Sequence, residues 1–160
     1  MLKRLSILAF VLLNIGCDQI SKDIIRKNVE PMEYIQLLGD NLILTNVENT
    51  GAMLGFGQSF SPISKLIFLK GLPLIVLLIL LARTLQKTNL NRWMVLAFAF
   101  VIGGGIGNLI DRIAYGSVTD FVQIKLGMFK TGIFNMADMS VTIGVVLLLI
   151  LTIRFRNLSI

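Results

Sequence analysis

The sequence predicts an α-helical integral membrane protein: four transmembrane helices, with a small β-sheet carried by the connections on the outer side. Three observations lead there. The 160 residues are 55% hydrophobic with a mean hydropathy of +0.82, too apolar for a soluble domain that needs a polar shell. Four apolar segments, about 5–20, 63–82, 93–110 and 137–153, approach the roughly 20 helical residues that cross a hydrocarbon core about 30 Å thick. Lys and Arg gather at the ends of these segments, and no basic run with interleaved aromatics exists, so the net charge of +6 signals topology and not nucleic-acid binding.

The first segment carries Asn14, Asp18 and Lys22 at spacings of four, a polar stripe on one helix face. Near lipid such a stripe faces protein. It suits a helix-end ion pair between Asp18 and Lys22 and a supporting role in a site equally well. Gly16-Cys17, after two basic residues and an apolar stretch, imitates a lipoprotein signal peptide, which would make the chain a structural lipoprotein with its mature end at Cys17. Asn14 stands where a Leu-like residue is wanted, however, and three more spans follow. Cys17 is therefore expected to be a small packing residue near the outer end of the helix. A lone cysteine cannot form an internal disulfide.

The second segment holds Lys65 and Lys70 in its first half, which must snorkel outward or lie before the span begins; Pro73 is expected to kink it. The third is free of charge, and Gly103 with Gly107 forms a small-xxx-small face for close helix packing. The fourth ends before Arg154 and Arg156. Four spans put both termini on one side with Lys3, Arg4, Arg83, Lys87, Arg92, Arg154 and Arg156 and no acid, while all nine Asp and Glu lie opposite. The positive-inside rule makes the termini cytoplasmic. The chain thus reads as one membrane domain, 1–160, with outer loops 21–62 and 111–136 and an inner loop 83–92. Within the outer loops, 34–38, 42–47 and 118–124 have strand character.

The chain has no His, so proton transfer near neutral pH falls to carboxylates. Asn108, Asp111 and Arg112 converge where the third span ends, and Asn135 with Asp138 repeats the same spacing of three at the start of the fourth. Asp138 alone would suit a helix N-terminus. Asp120, in Val118-Thr119-Asp120-Phe121, puts another carboxylate on the same membrane face. Two close carboxylates in a poorly hydrated site cannot both ionise easily, so one stays protonated and the other acts as a base. That is the arrangement for peptide hydrolysis through a tetrahedral intermediate, with no metal and no cofactor required. Spacing leaves an Asp111–Asp138 pair open as a rival. An expected Arg112–Asp111 ion pair, which would hold Asp111 ionised, favours Asp120.

Five ordered motifs, Asp18-Gln19-x-x-Lys22, Asn49-Thr50-Gly51-Ala52, Gly107-Asn108-x-x-Asp111-Arg112, Val118-x-Asp120-Phe121 and Phe134-Asn135-x-Ala137-Asp138, cover nearly the whole chain. Together they resemble the lipoprotein signal peptidases (signal peptidase II) of the bacterial inner membrane. Leu54-Gly55-Phe56-Gly57 departs from that family's phenylalanine-glycine run and puts local substrate contacts in question. The resemblance implies four transmembrane helices with a β-sheet cradle on the extracytoplasmic face. It implies an aspartic endopeptidase that cuts prolipoproteins just before a diacylglyceryl-modified cysteine. Asp120 and Asp138 take the catalytic places, and Asp18, Lys22, Asn49, Gly51, Asn108, Asp111, Arg112 and Asn135 line or support the site. Partners would be lipid-modified prolipoproteins and membrane lipids, with no nucleic acid, and the enzyme would be a monomer. Asp23, Glu30, Glu33, Asp40 and Glu48 are left to solvate the outer surface.

Other classes fit less well. A transporter would hold its carboxylates near the bilayer midplane, often with inverted repeats, and a magnesium-dependent phosphotransferase would cluster them on paired helix turns.

Overall fold

A computed structural model describes residues 2–87 and 89–154. Helix α1 spans Leu2–Asn28, well beyond the 5–20 read from hydropathy, and stops just ahead of Pro31. Strands β1 (Tyr34–Gln36) and β2 (Leu42–Asn49) follow, then a short 3-10 turn at Met53–Gly55. Helix α2 covers Pro62–Gln86; Pro62 suits its first turn and Ser61 Oγ accepts from Ser64 N at 3.2 Å. Helix α3, Arg92–Ala114, is capped by Asn91, and after strands β3 (Val118–Leu126) and β4 (Phe129–Lys130) comes helix α4, Met136–Arg154.

Where the sequence predicts a kink at Pro73, the chain widens into a π turn over Leu66–Gly71. Leu72 N–H bonds to Ile67 O, five residues back. A proline ring collides with the carbonyl four residues before it, so a wide turn directly ahead of Pro73 is a physically reasonable accommodation.

All four helices are long and apolar enough to cross a membrane. Helix α3 sits among the others. Gly103 lies against Val11 and Asn14 of α1, and Gly104 against Ala137 and Ser140 of α4. Ile7, Val11, Ala99 and Ile102 form a buried cluster on which Leu81 and Leu85 of α2 also pack. The flanks expose Leu12, Leu13, Leu72, Ile75 and Leu149, an apolar surface too large for water and suited to hydrocarbon. Arg4 Nε donates to Leu85 O at 3.1 Å, which joins the start of α1 to the end of α2. Arg156, counted above among the basic flanks, lies outside the described residues. Cys17 is exposed on α1 with eleven helical residues beyond it, so it is neither a packing residue nor at the helix end.

The sheet is antiparallel in the order β1-β2-β3-β4. A bulge between Leu44 and Val47 buries Thr45 and Asn46 in succession, and Asn46 Nδ2 donates to Val29 O at 2.8 Å, tying the sheet to the end of α1. Alternation divides β3: Phe121 packs on Ile25 and Val29, while Val118, Asp120 and Ile124 line a cleft on the other face.

Candidate active site

The polar stripe of α1 continues past Lys22 to Arg26, and it organises the end of the bundle. Lys22 is fully buried: its Nζ lies 2.7 Å from Asp18 Oδ2, 2.9 Å from Asp111 Oδ2 and 3.0 Å from Asn108 Oδ1. Arg26 reaches the other oxygen of Asp111 at 3.1 Å, donates to Thr119 Oγ1 at 2.7 Å and lies over the Tyr115 ring. Two buried carboxylates thus meet two cations, which is how buried charge is tolerated. The second oxygen of Asp18 accepts from Ala137 N at 2.8 Å, so α1 holds the first turn of α4. Gly107 is what lets α3 approach, since a Cβ there would stand 2.6 Å from Asp18 Oδ2.

Phe134 exchanges both backbone hydrogen bonds with Val122 of β3, 2.9 Å each, and so brings Asn135 and Asp138 beside Asp120. Asn135 Oδ1 accepts from Asp138 N at 2.9 Å, and Asp138 Oδ2 accepts from Asn135 N at 3.3 Å. This is a reciprocal helix cap. It leaves Asp138 Oδ1 to accept from Asn108 Nδ2 at 2.8 Å. Asp138 therefore both caps a helix and lines the cleft.

Asp120 is 4% exposed and accepts from two carboxamides, Asn135 Nδ2 at 2.6 Å on one oxygen and Asn49 Nδ2 at 3.0 Å on the other. Burial is the main cause that pushes its pKa up to about 6; nearby Asp138 adds to the rise, while the amide donors and Lys22 oppose it. No cation touches either Asp120 or Asp138 within ion-pair distance among the described residues.

Asn49 Oδ1 accepts from Gly51 N at 2.9 Å, and Arg112 donates to Gly51 O at 3.0 Å. No side chain fits at Gly51, where a Cβ would lie 2.7 Å from the carbonyl oxygens of Gly55 and Phe56. The loop it closes puts Met53 and Leu54 over the cleft, with Leu54 at φ 56° and its side chain against Gly132. The cleft holds about 630 Å³, with Asp120, Asp138, Asn49, Asn108 and Arg112 among its polar groups and Ile133, Met139, Val141 and Ile143 among its apolar ones. A polar end that continues into apolar helix flanks suits a peptide bearing lipid.

All ten residues singled out in the sequence fall into one connected set of hydrogen bonds and ion pairs. One expected contact does not form. Arg112 does not pair with Asp111; it turns toward Gly51 O and Asn108 O, and Lys22 and Arg26 take Asp111 instead. Asp111 is fully buried and does not line the cleft, so its geometry is that of a charge-paired support. Sequence reasoning gave no role to Gln19, which donates to Asp18, Asp111 and Gly107 O, nor to Arg26. Extending the stripe by four more residues would have found Arg26. Glu48, assigned to the surface, accepts from Ser117 and from Thr119 and braces the start of β3. No group of three or more His, Cys, Asp or Glu among the described residues is placed to hold a metal ion.

Comparisons with known proteins agree in kind. A family model described as signal peptidase (SPase) II matches residues 10–154. A lipoprotein signal peptidase of Pelodictyon phaeoclathratiforme is 35% identical over 151 residues, covering 89% of this chain and 86% of its own. One from Chlorobium phaeobacteroides is 40% identical, covering 83% and 81%. A solved bacterial membrane enzyme structure, obtained by the in meso method, superposes with a TM-score of 0.83 at 28% identity, covering 95% of this chain and 90% of that one.

Proposed function

The chain belongs to the signal peptidase II family of membrane peptidases, and we propose from this that it removes signal peptides from prolipoproteins by aspartic chemistry, cutting just before a diacylglyceryl-modified cysteine. One observation carries the assignment of Asp120 and Asp138: they are the two carboxylates that line the cleft, and both are held by neutral amides, whereas Asp18 and Asp111 are matched by cations. Burial raises the pKa of Asp120 to about 6, which favours it as the proton donor of the pair. Asp138 takes a proton from water, and the water oxygen bonds to the scissile carbonyl carbon. Asp120 donates to the carbonyl oxygen, giving a neutral tetrahedral diol. Return of a proton to the peptide nitrogen lets the C–N bond break.

Asn108 and Asn135 orient the pair, and Asn49 with Gly51 and Arg112 shapes the wall along which an extended peptide would run. Residues 1–160 act as one membrane unit and as a monomer, with both termini cytoplasmic and the cleft at the outer face, where the lipid tails stay in the bilayer and the scissile bond meets water.

The test is cleavage of a diacylglyceryl-modified prolipoprotein by purified variants. Asp120→Asn and Asp138→Asn should each lose at least about a thousandfold in rate while remaining folded. Asp111→Asn should retain measurable cleavage. Full activity in either of the first two removes that residue from the pair.

A further inference from the structure

Lys65 and Lys70 remain unused by this mechanism. Both are half-buried, and neither forms an ion pair among the described residues. They line a second cavity of about 360 Å³ with Arg112, Thr50, Leu66 and Leu69, and no carboxylate lines it. The π turn is what places both lysines there. In a regular α-helix five residues turn the chain by about 140° and would separate them. A turn bonded five residues apart brings such positions over one another.

Three cations around one small cavity repel each other unless an anion joins them. Arg112 also lies near Asp111, Asp120 and Asp138, so Lys65 and Lys70 are the cations of the cavity that have no carboxylate beside them among the described residues. Pro62, Leu66 and Leu69 of α2 line the cavity, and their chain neighbours Ile63, Ile67 and Phe68 are exposed on that helix.

We infer that this cavity binds a phosphate group, with Lys65 and Lys70 as its main contacts, and that the exposed face of α2 takes the acyl chains when the phosphate is a phospholipid headgroup. The diacylglyceryl group of the substrate carries no phosphate, so the ligand is a different molecule from the one cleaved. The cavity shares Arg112 with the peptidase cleft, but its two lysines take no part there, and its test reads binding alone.

The full chain in a nonionic detergent is offered dioleoylphosphatidylglycerol, dioleoylphosphatidylcholine or inorganic phosphate. Bound lipid is counted by native mass spectrometry, and thermal midpoints are measured alongside. The Lys65→Gln, Lys70→Gln double variant, with an unchanged midpoint in lipid-free detergent, should lose at least about tenfold in affinity for the anionic lipid. The Lys65→Arg, Lys70→Arg variant should keep it and guards against a folding effect. A midpoint raised by inorganic phosphate only when the lysines are present makes free phosphate the occupant; lysine-dependent retention of the anionic lipid without that rise makes it the headgroup. Where inorganic phosphate gives no lysine-dependent rise, equal lipid retention by wild type and the Gln variant, or wild-type retention of the zwitterionic lipid as strong as that of the anionic one, overturns the proposal.

Discussion

Two pairs of carboxylates meet where α1, α3, α4 and β3 converge, and their surroundings are opposite. Asp18 and Asp111 lie fully buried against Lys22 and Arg26. Asp120 and Asp138 face the cleft and are held by Asn49, Asn108 and Asn135. A cation fixes a carboxylate in its charged form, which is good for joining helices and poor for moving a proton. An amide donor fixes its direction and leaves protonation adjustable. The difference separates charge-paired carboxylates from the two proposed to do the chemistry within one hydrogen-bonded network, and Asn108 is the joint, accepting from Lys22 and donating to Asp138.

The comparison breaks most visibly at Lys22. Lys22→Met strands two buried carboxylates, and the thermal midpoint in detergent should fall by the equivalent of about 3–5 kcal/mol. Adding Asp18→Asn and Asp111→Asn should restore most of it; failure to do so would mean that the lysine acts by packing alone. Next in size, Asn108→Ala cuts the joint. The loss of a hydrogen bond to a charged group predicts a fall in kcat of about tenfold to a hundredfold with KM little changed, read in the prolipoprotein assay.

The smallest effect tests the proton on Asp120. An acid whose folded-state pKa is raised from the usual 3.8 to about 6 stabilises the fold fully only below its unfolded value, and that contribution is lost as pH rises through about 6. Asp120→Asn lacks this loss. Relative to wild type the variant should therefore be more stable at pH 8 than at pH 4, by about 2 kcal/mol, read from thermal midpoints at the two pH values. A difference independent of pH would show that Asp120 is not titrating in that window.

Much of this was legible in the chain. Four apolar runs are a one-dimensional signal, and three of the four strands stood out because β-favouring residues cluster there. Strand β4 did not, since two residues beside a lone Gly127 carry no pattern. Helix ends were misread where polar residues continue a helix beyond the apolar run, as at 21–28 of α1. The ten residues singled out, some by spacing and others, such as Asn49 and Gly51, only through the resemblance, meet in one network, yet the partner of Asp111 was not foreseen. Adjacency of Asp111 and Arg112 suggested a pair, but consecutive helical residues point about 100° apart, and the true partners come from another helix.

The bond from Asp18 to the first turn of α4 also has a temporal meaning. Asp18 of α1 is synthesised well before Asn135 and before Ala137 and Asp138 of α4. A chain still emerging from the ribosome has the cleft walls of β2 and β3 but only one of the two acids. With Asp120 and Asp138 as the proposed pair, such a chain can cut nothing, including the lipoprotein-like Gly16-Cys17 stretch in its own α1, until α4 has docked.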